Sequence, residues 1–302
     1  MQVTVIIPTF NAENYLPALL HNLSTQTLDF ELIIIDSSST DKTINIAKKY
    51  TNKIIIIPKH SFDHGGTRTQ AIEASSGDYI IFLTQDALPI NIDTLENIIT
   101  IFKNKHIGAA YGRQIAYDST NIFGKHLRMF NYPTISHIRT IEDKDRYGMK
   151  TVFLSDSFSA YRKSAIKEVN YFKKGLIFGE DTHISAKLLS KKWHIAYIAE
   201  ASVYHSHSYT LSQEFKRYFD MGVFHTMEQW ILDTFGKVEG EGMKYIKSEF
   251  FYLLQQKAYL RIPEFLIRNS LKYFGYKLGR NYTVFPKSIV QKLSMHKSWW
   301  TK

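Results

Sequence analysis

Apolar positions in the first half of the chain come in short unbroken runs. Val3 to Ile7 is such a run, closed by Pro8 and Thr9, and it suits a strand buried on both faces. Phe30 to Ile35 repeats the pattern and ends in Asp36. Ile54 to Ile57 is a third run, ended by Pro58, and Tyr79 to Leu83 a fourth, which leads into Thr84-Gln85-Asp86. Between the runs the period changes. Asn11 and Asn14 offer caps to a helix striped by Tyr15, Leu16, Leu19, Leu20 and Leu23. Ser37 to Asp41 reads as a loop and cap before a short helix through Tyr50. Gly65 and Gly66 open a helix to about Ser76, and a helix from about Asn91 to Lys103 precedes a strand near Ala109 to Ile115. Strand–helix alternation with short connections predicts an α/β fold on a parallel, doubly wound sheet. Residues 117–150 read as a loop or lid. From Leu211 to about Phe274 the period is helical and aromatic, broken by Gly236 to Gly242 and by Pro263. The division expected is a domain over 1–210 and a separate helical appendage over 211–302.

Composition narrows the partners. The 302 residues carry a net charge of +10, which favours anionic partners. Cysteine is absent, so thiolate chemistry is excluded. The first residues have no basic segment ahead of their apolar stretch and do not read as a signal peptide. No apolar run approaches the roughly 20 residues a membrane span needs. The expectation is a cytoplasmic protein.

In open α/β sheets ligands bind beyond the carboxyl ends of the strands. Asp36 and Asp86 both fall there, and each suits a nucleotide or metal ligand better than a simple turn cap. A dinucleotide enzyme is excluded by the turn after the first strand: Pro8-Thr9-Phe10-Asn11-Ala12 has no glycine to admit a pyrophosphate. Arg68 follows two glycines at a helix start, a setting suited to a diphosphate, with Lys59 and His64 as further cations of that loop.

These segments, in this order, resemble glycosyltransferase family 2. Val3 to Asn11 is similar to its opening strand, and Glu31 to Asp41 to its base- and ribose-binding turn. Gly65 to Asp86 is similar to the helix and strand before its metal site, and Gly179-Glu180-Asp181 to its acidic motif. Phe62 to Arg68, Thr84 to Pro89 and Ser294 to Lys297 resemble bacterial rhamnosyltransferases of surface-polysaccharide assembly. The resemblance implies a GT-A fold, Rossmann-like and mostly parallel, over about residues 1–210. It implies an inverting transfer of a sugar, L-rhamnose from dTDP-L-rhamnose, to a saccharide or lipid-linked acceptor. UDP-hexose, UDP-N-acetylhexosamine and UDP-galactofuranose are the alternative donors.

Site residues follow from the same likeness. Pro8, Thr9, Asn11, Asp36, Ser38, Arg68, Gln85, Asp86 and Asp156 are expected at the nucleotide sugar. Asp181 is the expected general base, with Glu180 second. Mg²⁺ or Mn²⁺ is expected on Asp86 and His205, since Thr84 replaces the first acid of the usual Asp-x-Asp; His207, two residues on, is not expected to share that metal. The basic, aromatic C-terminal region suits core packing, a homo-oligomer or contact with the inner face of a membrane. A nucleic-acid-binding protein is set aside because no such module is recognised. Thr84 leaves an inactive nucleotide-sugar-binding partner subunit as another class.

Overall fold

A computed structural model describes residues 1–236 and 239–301. Its strands are β1 (Val3–Thr9), β2 (Glu31–Asp36), β3 (Ile54–Ile56), β4 (Tyr79–Leu83), β5 (Leu88–Pro89), β6 (Ile107–Ile115), β7 (His137–Arg139), β8 (Phe158–Arg162) and β9 (His194–Tyr204). The helices of the first half are α1 (Leu16–Leu23), α2 (Thr43–Ala47), α3 (His64–Ala74), α4 (Thr94–Thr100), α5 (Ile122–Asn131) and α6 (Lys144–Tyr147). The second half contributes α7 (Lys163–Glu168), α8 (Glu180–Ser190), α9 (Leu211–Met227), α10 (Gln229–Phe235), α11 (Glu239–Gln255), α12 (Ile262–Arg280) and α13 (Lys287–Leu293).

One sheet runs β3-β2-β1-β4-β8-β6-β9-β5, with β7 also paired to β9. β1 to β4 are mutually parallel, as the apolar runs predict. The runs are continuous because both faces are covered. Val3, Val5 and Ile7 pack with Leu16, Leu19 and Leu20 of α1 in one core, while Ile6, Ile33 and Phe82 enter the core on the other face.

Beyond β4 the sheet is mixed, with β6 and β9 parallel to each other. β8 lies antiparallel to β4 and β6, and β5 and β7 lie antiparallel to β9. The sequence reading missed β5, β7, β8 and β9. β8 carries Ser159 and Arg162 among its apolar residues, and β5 is too short to leave a periodic signal. Nor are residues 117–150 one loop, since they hold α5, β7 and α6. Neither Asn11 nor Asn14 caps α1, whose cap position is Tyr15.

The C-terminal region is helical, as expected, and its first helices pack into the core of the sheet. Phe219, Val223 and Phe224 of α9 and Ile231 and Phe235 of α10 belong to the same core as Ile6 and Phe82. Close approach of α12 to α9 depends on glycine: a Cβ on Gly279 would stand 2.0 Å from the Phe219 carbonyl oxygen. Of the break expected over Gly236 to Gly242, Lys237 and Val238 lie outside the described residues, as does Lys302. Gly240 and Gly242 fall inside α11, and Pro263 occupies the first turn of α12, where a missing N–H is harmless.

Candidate active site

The β1 and β2 ends meet where the parallel register sets Thr9 beside Asp36. Thr9 Oγ1 donates to Asp36 Oδ2 at 2.8 Å, and Ser39 donates to the same carboxylate from its backbone N (2.7 Å) and its hydroxyl (2.6 Å). Asp36 is 0% exposed. Its carboxylate therefore organises the turn. Asn11 and Ser38 hold the turn in positive-φ conformations of 47° and 59°. Asn11 Oδ1 accepts from Thr40 N and Ser38 Oγ donates to the Ile57 carbonyl. Pro8 lies in the ladder opposite Ile35. Gln85 acts like a peptide group laid across the edge, accepting from Phe10 N at 3.0 Å and donating to Phe10 O at 3.3 Å. These residues of the expected donor site frame two adjacent strand ends, with their polar groups engaged with one another.

Asp86 sits one step further along that edge. The antiparallel register pairs Leu88 with Tyr204 and Pro89 with Val203; continued by two residues, it sets Asp86 opposite Ser206. His205 and His207 flank it. Their Nε2 atoms stand 3.5 and 3.7 Å from the two Asp86 oxygens, too far for good hydrogen bonds. All three groups offer ligand atoms within 4.8 Å of one another. The expectation that His207 would stand apart is corrected: side chains two residues apart share a face of an extended chain, and both imidazoles turn to Asp86.

The donor set fits a divalent cation. Burial opposes ionisation of Asp86, yet its contact with His205 holds the carboxyl far below the usual range. Burial pushes both imidazoles the other way, His207 to about 4, so they are neutral at neutral pH. His205 Nδ1 lies 2.8 Å from Gln114 Oε1, and Gln114 Nε2 donates to Ser155 Oγ. With that amide orientation His205 carries its proton on Nδ1 and presents the Nε2 lone pair to Asp86. Two acceptors then face each other, an arrangement that calls for a cation between them.

Arg128 of α5 and Arg217 of α9 were not anticipated from sequence. Their charges help to hold down the pKa of both imidazoles, which places them near the cluster. Among the described residues neither forms a salt bridge, and the buried Nε of Arg128 has no hydrogen-bond partner. Arg217 lies over Phe178 and Tyr209, so it spans the Gly179–Asp181 turn and the histidine segment. No local signal marks either residue. They are two among 38 Lys and Arg, picked out only by the carboxylates they lack.

Arg68, the expected diphosphate contact, is instead 6% exposed and ion-paired. Its Nη1 is 2.9 Å from Glu180 Oε1 and its Nε 3.1 Å from Asp156 Oδ2. Asp63 caps α3 by accepting from Gly66 N, and a Cβ on Gly65 would meet the Lys173 carbonyl oxygen at 2.1 Å. Glycine there lets α3 close on the loop before α8. Asp156, expected at the nucleotide sugar, is buried too, accepting from Ser159 Oγ (2.7 Å) and Tyr161 Oη (2.6 Å). Replacing Arg68 by Met leaves two buried carboxylates facing each other. That variant is expected to lose about 3–5 kcal/mol of stability, read from urea unfolding midpoints.

The α8 turn begins at Gly179, φ 80°, with Glu180 and Asp181 in its first turn. Burial opposes ionisation of Glu180, but Arg68 and His64 outweigh it and hold this carboxyl low. Asp181 responds in the opposite direction. Burial, Glu180 and Asp156 push it up to about 8. It keeps partial access to solvent and, among the described residues, accepts from Thr182. Of the two expected bases, Asp181 has the basicity, while Glu180 is engaged by Arg68.

The profile of glycosyl transferase family 2 matches residues 4–169. The chain is 44% identical over 300 residues to the O-antigen chain rhamnosyltransferase WbaN of Salmonella anatum, covering 98% of this chain and 95% of that one. It is 41% identical over 303 residues to the O-antigen chain rhamnosyltransferase RfbN of Salmonella typhimurium, covering 99% and 96%. Among solved structures, the mannosyltransferase PcManGT from Pyrobaculum calidifontis, in complex with GDP-Man and Mn²⁺, is similar with a TM-score of 0.61. The identity is 15%, over 100% of this chain and 88% of that one. Residues 1–349 of Staphylococcus aureus TarS, in complex with UDP-GlcNAc, align with a TM-score of 0.54 and 17% identity over 94% and 92%. Those two likenesses extend to the fold, which is GT-A.

Proposed function

The chain belongs to glycosyl transferase family 2, and from that premise we propose that it is an inverting transferase of L-rhamnose from dTDP-L-rhamnose to a saccharide acceptor in O-antigen assembly. The sugar and pathway rest on the 44% likeness to a rhamnosyltransferase over nearly the whole of both chains. The chemistry rests on one observation: Arg217 lies over both Phe178, just ahead of the turn whose Asp181 carboxyl is pushed up to about 8, and Tyr209, whose ring lies near that of His207.

In this reading Asp86, His205 and His207 hold a divalent cation, and imidazole ligands favour Mn²⁺ over Mg²⁺. When bound, that ion neutralises charge on the diphosphate. Arg128 and Arg217 face the same group from the protein side and stabilise the leaving diphosphate by paired hydrogen bonds. The Thr9–Asp36–Ser39 turn, with Asn11, Ser38 and Gln85, shapes the floor for base and ribose. Asp181 takes the proton of the acceptor hydroxyl as that oxygen attacks the anomeric carbon. One displacement inverts the centre without a covalent intermediate.

Purified protein is incubated with dTDP-rhamnose and a panel of UDP-sugars, with Mn²⁺, Mg²⁺ or chelator, and nucleoside diphosphate release is followed. Release from dTDP-rhamnose alone, lost on chelation, is the expected outcome. Release from a UDP-sugar replaces the donor and keeps the reaction class. Failure of every donor to bind overturns the transferase reading.

The acceptor class has a structural correlate in α12. Its outward stripe is Pro263, Leu266, Ile267, Ser270, Tyr273, Phe274 and Lys277, and beside its start Leu260 is 96% exposed with Tyr259 and Arg261. None of the described helices is long and apolar enough to cross a membrane. An apolar stripe edged with cations suits the surface of an anionic membrane carrying a lipid-linked acceptor. Co-sedimentation with phosphatidylglycerol vesicles is expected, falling about tenfold in the pair Leu260→Glu and Phe274→Glu. Equal sedimentation of that pair removes the membrane contact.

A further inference from the structure

The segment after α13 returns to the active site. Ser294 is fully buried, and Asp220 of α9, 1% exposed, accepts from the backbone N–H groups of Met295 (2.9 Å) and His296 (3.2 Å). This clamp brings His296 edge-on to His64, with ring centroids 5.4 Å apart. His64 Nδ1 in turn lies 3.9 Å from Glu180 Oε1. Beyond His296 the chain is fastened again. Trp299 Nε1 donates to the Gly175 carbonyl at 3.1 Å, and Gly175 N donates to Asp63 Oδ2, the cap of α3. Trp300 is buried against Tyr282. The tail is pinned at both ends, with His296 between the pins.

We propose that Ser294–Thr301 forms one wall of the active site, and that His296 is a positioning residue that excludes water from the Glu180–Asp181 turn. The proposal rests on the reading of Asp181 as general base. The groups facing this point are His64 and Arg68 from α3, Glu180 and Asp181 from α8, Asp156 ahead of β8, and Arg217 and Asp220 from α9. Burial, reinforced by His64 and Arg217, pushes His296 down to about 4, so its ring is neutral at working pH. It therefore acts by occupying space. Burial is the first cause of the high Asp181 pKa, and a wall removed admits water and lets that carboxyl ionise more readily.

The test compares wild type, His296→Ala and Trp299→Leu in the pH dependence of nucleoside diphosphate release from dTDP-rhamnose. Melting and dTDP binding serve as controls of fold. The rising limb is expected to move down by about one pH unit in both variants, with kcat lowered about tenfold and donor KM unchanged. A change in rate without a shift of the limb leaves only a structural role and overturns the proposal, as does a wild-type profile in both. If wild type releases nucleotide from no donor, the failure belongs to the assigned function. Carbon-13 titration of the Asp181 carboxyl, assigned with Asp181→Asn, then reads the same shift without turnover, and an unmoved midpoint overturns the proposal. Should one variant fail to fold, the other carries the comparison.

Discussion

Asp181→Asn is expected to lower turnover about 10³-fold while leaving dTDP and dTDP-rhamnose binding nearly intact. Asn keeps the shape and the hydrogen bond from Thr182 but cannot take a proton. In wild type, kcat/KM is expected to rise with pH to a midpoint at about 8, because only the ionised carboxylate serves as base. A midpoint at 4, or retained turnover in the variant, removes Asp181 from that role. The sign on stability is opposite. The folded-state pKa lies above the ordinary value of 3.8, so the contribution of this group to stability is present below about pH 4 and is lost as pH rises through about 8. Asp181→Asn is therefore expected to melt higher than wild type above pH 8, when the ionised carboxylate lies beside Glu180 and Asp156. A slower but sturdier variant is the signature of a site held against its own stability.

Asp86→Ala is expected to abolish measurable Mn²⁺ binding and to lower turnover by at least about 10²-fold. The binding is read from the electron paramagnetic resonance of free Mn²⁺ in the absence of any sugar donor. Here the chain's own ligands are tested apart from the diphosphate, which brings oxygens of its own. Gln114→Leu is the sharper companion. It touches no metal in the proposed arrangement, yet it releases His205 Nδ1 and with it the orientation of Nε2. Loss of such an outer partner typically weakens metal affinity 10–100-fold. Unaltered Mn²⁺ binding in Asp86→Ala moves the ion to another site.

Much of the strand framework of the first half was legible in the chain. The runs ending in Thr9, Asp36 and Asp86 are periodic signals confined to a few residues, and both faces of the sheet are apolar enough to leave them unbroken. The Gly179–Asp181 turn was legible for a similar reason: a positive-φ glycine followed by two acids is a local helix start. The histidines were half legible. His205 stood out as a candidate ligand, whereas His207 joined it only through pairing of β5 with β9, two strands more than a hundred residues apart in sequence. Arg68 was misread because a helix-start arginine has the same local pattern in a solvated loop and beneath two buried carboxylates.

The sequence by itself determined the strands β1, β2, β3, β4 and β6 and placed Asp36 and Asp86 at or just beyond the ends of β2 and β4. These properties follow from hydrophobic period and backbone preference over about ten residues. Tertiary structure alone decided which arginines meet carboxylates and which remain beside Asp86, how far burial lifts Asp181, and that a tail at residue 296 reaches the turn at residue 180. Charge and solvent access at a point depend on everything within several ångströms of it, and those neighbours are gathered from the whole length of the chain.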